Sequence, residues 1–292
     1  MFSGSLVAIV TPMRPDGRVD FEAWARLLDF HLRNGTSGIV VGGTTGESAT
    51  LRDSELRDLA ERACEQVGQR IPVIVGAGTS STATTVERVA SLSELAVDGV
   101  LVVTPAYNRP TQEGLYQHFA AVAAASRKPV VLYNVPTRTA VDMLPETVGR
   151  LSQLPRIVSV KEAVTEPGRI RAILDACRKD FVVLSGDDAT ARRAVQEGAR
   201  GVISVTANVA PRAMADMINA GLRGDHATAE KLDAALAALH QDLFAEANPI
   251  PVKWALARMG LIGEGIRLPL TPLSAATQPV VLAAMRGAGI LQ

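Results

Sequence analysis

Thirty basic residues divide into twenty-five arginines and five lysines, and one of the five, Lys161, lies inside the β-branched apolar run Ile157-Val-Ser-Val-Lys161-Glu162. Moving an ammonium out of water costs several kcal/mol unless it is paired or neutral. Burial lowers a lysine's pKa, and an unprotonated amine attacks a carbonyl carbon to give a Schiff base. A strand lysine can also carry its head to the surface or pair with a carboxylate such as Glu162. The other four lysines are the comparison. Lys128 and Lys179 stand just before strand-like runs, Lys231 and Lys253 fall in Ala/Leu-rich helical segments, and none is placed like Lys161.

Schiff-base chemistry also needs proton carriers and an anion site. Of three tyrosines, Tyr133 ends a β-branched run, Tyr107 follows another, and Tyr116 sits in a helical segment. Phenols donate and accept protons, and a threonine hydroxyl between two of them can pass protons along a hydrogen-bonded chain. A buried tyrosine is more often a core aromatic, but a place beside Lys161 in the strand order favours chemistry for Tyr133. In Gly42-Gly-Thr-Thr-Gly-Glu-Ser48, amides freed by glycine and the hydroxyls of Thr44 and Thr45 can cradle a small carboxylate, with Glu47 read as an early-helix charge. Arg138 can hold a second carboxylate in a bidentate fork, or serve as surface charge. In Leu184-Ser-Gly-Asp-Asp188, Gly186 lets backbone approach a ligand, while Asp187 and Asp188 read as a helix cap and a first-turn charge. His31, His118, His226 and His240 all fall in helical segments, which disfavours a metal site.

Eight short Val/Ile-rich runs alternate with helical segments: 5–10, 38–42, 72–76, 99–104, 129–134, 157–161, 181–186 and 201–206. Near-continuous apolar runs mark strands covered on both faces, as in parallel sheets. Their number and order predict an α/β fold, a (β/α)8 TIM barrel, with no dinucleotide fingerprint to favour an open sheet. Thr79-Ser-Ser-Thr82, Thr111-Gln-Glu113 and Leu144-Pro145-Glu146 are helix starts. The barrel occupies residues 1–222, and residues 223–292, rich in alanine and leucine, form a C-terminal helical extension with Asn248-Pro-Ile-Pro251 opening one helix. Catalytic groups of such barrels sit at the C-terminal ends of strands, where Lys161, Tyr133, Tyr107, Thr44 and Thr45 fall; Lys128 and Lys179 fall at the opposite face.

A chain with 47% apolar residues buries a large core, and thirty acidic residues balancing thirty basic ones give no general attraction to nucleic acid or anionic lipid. Cys64 and Cys177 have neither metal-ligand nor redox spacing and read as reduced core residues. The N-terminal apolar run is short, lacks a basic region and is stopped by Thr11-Pro12, so neither a signal peptide nor a membrane span is expected and the cytoplasm is.

Gly43-Thr-Thr-Gly-Glu-Ser48, Tyr107-Asn-Arg-Pro110, Tyr133-Asn-Val-Pro136 and Val160-Lys-Glu-Ala163 together resemble signatures of the dihydrodipicolinate synthase and N-acetylneuraminate lyase superfamily. The likeness is greatest to the dihydrodipicolinate synthase branch and continues through Leu184–Asp188, Val202–Asn208 and Asn248–Trp254. The resemblance implies a lyase in which Lys161 forms a Schiff base with pyruvate. The derived enamine then attacks L-aspartate 4-semialdehyde to give 4-hydroxy-tetrahydrodipicolinate, on the diaminopimelate route to lysine, with no external cofactor. It further implies a proton relay of Tyr133, Thr44 and Tyr107, with Tyr107 supplied by a neighbouring subunit. Thr45 would hold pyruvate's carboxylate, Arg138 the semialdehyde's carboxylate, and the Gly186 and Ile203 carbonyls would contact the bound intermediate. The implied assembly is a homotetramer of two tight dimers. Lysine-inhibited relatives carry other residues where this chain has Asp53, Leu56, Ser80, Thr84 and Ala106, which implies weak or absent feedback by lysine. The rival expectations are a sialic-acid or 2-keto sugar-acid lyase of the same superfamily, against which Arg138 argues, and a catalytically silent oligomeric barrel.

Overall fold

The computed structural model describes residues 2–291. Eight parallel strands close into a barrel in chain order: β1 (Gly4–Ala8), β2 (Gly38–Val41), β3 (Val73–Gly76), β4 (Gly99–Val103), β5 (Val130–Asn134), β6 (Ile157–Glu162), β7 (Val182–Ser185) and β8 (Gly201–Ser204). The crossovers carry α1 (Phe21–Arg33), α2 (Asp53–Val67), α3 (Thr82–Leu92), α4 (Gln112–Ala125), α5 (Pro136–Thr139), α6 (Pro145–Ser152), α7 (Arg169–Ala176) and α8 (Ala191–Gln196). This is the TIM barrel that the eight apolar runs predict.

The helices begin where the local chemistry permits. Asp20 accepts from the amides of Glu22 and Ala23 at the start of α1, Ser81 from Thr84 in α3 and Thr111 from Gly114 in α4, each satisfying a donor that lacks an intrahelical partner. Most strands end one or two residues before the apolar runs do, because the chain turns away from the ladder to form the rim; Gly42, for example, already has φ +60°. β6 instead runs one residue further, to Glu162.

Strand alternation divides the core in two. Leu6, Val40, Ile74, Leu101, Val131, Leu184 and Ile203 fill the barrel, while Val7, Ile39, Val75, Val100, Leu132, Val160 and Val183 pack toward the helices. Burying each such side chain contributes about 1.5–3 kcal/mol, so Leu132→Ala, at a site wholly closed to solvent, costs about 2–5 kcal/mol. Closure between β8 and β1 depends on a glycine: Gly201 has φ +153°, and a Cβ there would stand 2.0 Å from the Gly4 carbonyl oxygen.

After β8 come a 3-10 turn (Thr206–Asn208) and α9 (Pro211–Leu222), which packs on β1 and α8. Then follow α10 (His226–Asp242), α11 (Ile250–Arg258) and α12 (Gln278–Gly287). α10 packs on α9 and α12, and α11 packs on α12 and the 3-10 turn, which brings the C-terminal helices to the rim beside β8. Among the described residues no helix is long and apolar enough to cross a membrane.

Candidate active site

Parallel pairing of β5 with β6 sets Tyr133 directly beside Lys161. Both point into the barrel mouth, and the Lys161 Nζ lies 4.3 Å from the centroid of the Tyr133 ring. Lys161 is 5% and Tyr133 6% exposed, and no carboxylate among the described residues pairs with the amine. Glu162, the partner that a surface or paired reading would supply, faces the other side of the strand. Its carboxylate accepts from Asn134 Nδ2 at 3.0 and 3.2 Å, from the Val164 amide at 2.8 Å and from Arg169 Nε at 3.1 Å. Burial raises the Glu162 pKa from its ordinary value, against the pull of the Arg169 guanidinium.

A cavity of about 500 Å³ opens above this pair. Its wall includes Thr44, Thr45, Tyr133, Arg138, Lys161 and Gly186, six of the eight residues singled out from the sequence. The Thr44-Thr45 loop is a series of turns, in which the Gly46 and Ser48 amides donate to the Gly43 carbonyl and the Glu47 amide to the Thr44 carbonyl. Those three amides are therefore engaged within the loop, and Thr44 and Thr45 are the residues that it places on the cavity wall. Arg138 is an exposed rim residue of the short α5, which Thr139 anchors through bonds with Val135, Val141 and Thr104. Gly186 follows β7 directly, where a Cβ would crowd the Ala163 Cβ at 3.0 Å, so glycine allows the segments leaving β6 and β7 to approach.

Two expected residues stand off the cavity wall. Ile203 is 1% exposed and packs among the apolar side chains that fill the barrel, with Val205 lining the cavity above it. Tyr107 lies in the loop after β4 at φ +74°, 95% exposed within one chain.

Four sequence expectations are corrected. Glu47 is not in a helix: α2 starts at Asp53, and Glu47 sits in the rim loop at φ +58°, buried and ion-paired with Lys253. Asp188 is not a first-turn charge, since its buried Oδ2 accepts from the Val205 and Thr206 amides at 2.9 Å and so fastens the start of the 3-10 turn that follows β8. Asp187 acts upstream of α8, accepting from the Thr190 amide and hydroxyl. Lys253 is also as buried as Lys161, at 4%, so burial alone does not separate the two lysines; their partners do.

Asn248 and Phe244 line the cavity and were not read as site residues. The Asn248-Pro-Ile-Pro motif was a visible signal, but its spacing speaks only of a helix start. The four-residue cluster of Asn134, Asp142, Glu162 and Arg169 was missed as well. Its signal was the polar residue that follows both Tyr133 and Lys161.

Other candidates for chemistry are weak. Burial pushes the Cys64 and Cys177 thiols up to about 11, which opposes thiolate formation. Among the described residues no group of three or more His, Cys, Asp or Glu side chains is arranged to hold a metal ion. A larger hollow of about 950 Å³, between Phe2, Val73, Pro129 and Val158, lies at the strand starts, where residues of this fold class mainly stabilise.

Comparison with known proteins agrees with this geometry. The profile of the "Dihydrodipicolinate synthetase family" matches residues 1–287. The chain is 54% identical to the 4-hydroxy-tetrahydrodipicolinate synthase of Methylococcus capsulatus and 52% identical to that of Pseudomonas aeruginosa, with 100% of each protein covered in both cases. Among solved structures, it superposes on the chloride-inhibited dihydrodipicolinate synthase of Acinetobacter baumannii complexed with pyruvate with a TM-score of 0.98 at 46% identity, covering 100% of both chains. The dihydrodipicolinate synthase of Thermotoga maritima gives 0.97 at 42%, again over 100% of both.

Proposed function

The chain belongs to the dihydrodipicolinate synthetase family, and on that footing we propose that its barrel-mouth cavity condenses pyruvate with L-aspartate 4-semialdehyde to 4-hydroxy-tetrahydrodipicolinate, a lyase activity on the route to diaminopimelate and lysine. The observation that carries this reading is the Lys161 amine 4.3 Å from the Tyr133 ring, on the wall of a cavity that also presents Thr44, Thr45 and Arg138.

In this mechanism the Lys161 amine attacks C2 of pyruvate, and the carbinolamine loses water to give the Schiff base. Protons move through Tyr133, Thr44 and Tyr107, the last reaching the cavity from a neighbouring subunit, which accounts for its exposure in a single chain. Loss of a C3 proton gives the enamine, whose C3 attacks the semialdehyde's aldehyde carbon while the aldehyde oxygen takes a proton. The substrate amine then displaces Lys161 from C2, closing the ring and freeing the enzyme. Thr45 holds pyruvate's carboxylate, Arg138 the semialdehyde's carboxylate, and the Gly186 and Ile203 carbonyls the intermediate. The electron sink is the Schiff base itself, so the reaction needs no external cofactor.

The same reading makes residues 1–222 the catalytic barrel and 223–292 an accessory helical extension. It makes the assembly a homotetramer of two tight dimers in the cytoplasm, with feedback by lysine weak or absent.

Borohydride reduction in the presence of pyruvate, followed by peptide mapping, tests the assignment. Reduced pyruvyl label on Lys161, and its loss with turnover in Lys161→Ala, is the expected result. Label elsewhere, or a Lys161→Ala variant with intact turnover, refutes it.

A further inference from the structure

Asn248 reaches the site from the C-terminal helices, at the junction between α10 and α11. It is 6% exposed, lines the cavity, and donates from Nδ2 to Thr45 Oγ1 at 3.0 Å; its Oδ1 has no partner among the described residues. We propose that Asn248 is a positioning residue that turns the Thr45 hydroxyl into an obligate donor toward the keto acid's carboxylate. This rests on the reading that Thr45 receives that carboxylate.

The argument is one of hydroxyl valence. A threonine hydroxyl has one proton and two acceptor lone pairs. An amide N–H directed at the oxygen occupies a lone pair and leaves the proton free for another acceptor. Thr45 is 2% exposed and lines the cavity, so whatever occupies the cavity is the acceptor for that proton, and an anionic oxygen there makes the stronger, charge-assisted bond.

The rest of the loop is held too firmly for the hydroxyl's direction to be set by backbone motion. Lys253, on α11, forms a buried ion pair with Glu47. The Arg267 amide donates to Glu47 Oε2 at 3.1 Å, and Arg267 Nη1 to the Thr50 carbonyl at 2.7 Å. Thr11 Oγ1 donates to the Gly46 carbonyl at 2.7 Å. With the loop clamped, the rotation of one hydroxyl is the remaining freedom, and Asn248 sets it. The C-terminal segment thus acts on pyruvate binding, although it lies outside the strands and loops that carry the reacting groups.

The test is the pyruvate dependence of borohydride trapping at Lys161, with full-length protein. In Asn248→Asp the carboxylate can only accept, so it draws the Thr45 proton away and adds negative charge. Half-saturating pyruvate should rise about tenfold or more, while the KM for the semialdehyde and the rate at saturating pyruvate change less than about threefold. Asn248→Ala should raise half-saturating pyruvate less, by about threefold to tenfold. If Asn248 acts through Thr45, Asn248→Ala in a Thr45→Val background should add less than about a factor of two. An Asn248→Asp protein that traps at wild-type pyruvate concentrations overturns the proposal, as an amide turned the other way would produce. So does full additivity of Asn248→Ala with Thr45→Val, and that cycle decides the matter if the Asp variant does not fold. Failure of the wild-type protein to label at Lys161 would instead refute the proposed function.

Discussion

Asn134 and Glu162 stand back to back with Tyr133 and Lys161: the Asn134 Nδ2 lies 3.0 Å from Glu162 Oε1 on the outer face of the same two strands. Each residue of the pair proposed to react is thus followed by a residue of a structural pair. A one-residue slip between β5 and β6 would exchange the inner and outer faces. Arg169 and Asp142 extend the lock, with Arg169 Nη2 2.7 Å from Asp142 Oδ1.

That lock has a pH dependence. Burial holds the folded-state Glu162 carboxyl above its ordinary value of 4.5, so the folded chain binds more protons than the unfolded chain just above pH 4.5. The linked stability is fully present below 4.5 and is lost as pH rises through the raised value. Urea midpoints measured from pH 4 upward should show wild type losing stability relative to Glu162→Gln, which cannot titrate. Parallel curves would contradict the linkage.

Tyr107 should act across a subunit boundary. Tyr107→Phe is expected to lower kcat by about 10²-fold or more while pyruvate trapping at Lys161 persists. Mixed with Lys161→Ala subunits, it should regain part of the activity, because one site in each hybrid pair then holds both native groups. Mixtures no more active than their components would place Tyr107 outside the neighbour's site.

The buried Lys253–Glu47 pair predicts asymmetric mutational costs. Lys253→Met leaves a 3% exposed Glu47 without its counter-ion and should cost about 3–5 kcal/mol in urea unfolding. Replacing both, Lys253→Met with Glu47→Leu, should recover much of that loss. Equal destabilisation by the single and double variants would show that the charge is not the source of the cost.

Lysine feedback should be weak. Between α2 and α3, a cavity of about 270 Å³ is lined by Asp53, Leu56 and Thr84, and Arg88 holds Asp53 at 2.7 Å. Steady-state rates should be little changed by lysine at millimolar concentrations; inhibition at micromolar concentrations would overturn this.

Several features were readable from the chain alone because their causes are local. Eight apolar runs of strand length separated by helical segments point to a parallel sheet covered on both faces, and their number together with the lack of a dinucleotide fingerprint points to closure. Placement at strand ends then directs Lys161, Tyr133, Thr44 and Thr45 to one rim. Other features depend on contacts between residues distant in sequence, to which periodicity is blind. Glu47 reads as a helix-start carboxylate until Lys253, 206 residues on, is brought against it. Lys253 itself reads as an ordinary helix lysine until that contact buries it. Asn248 reads as part of a helix start until the C-terminal helices fold over the rim and set its amide against Thr45. Local pattern determines which way a side chain faces; the partner it meets, and hence whether a buried amine is a strut or a reagent, is decided by packing between segments far apart in the chain.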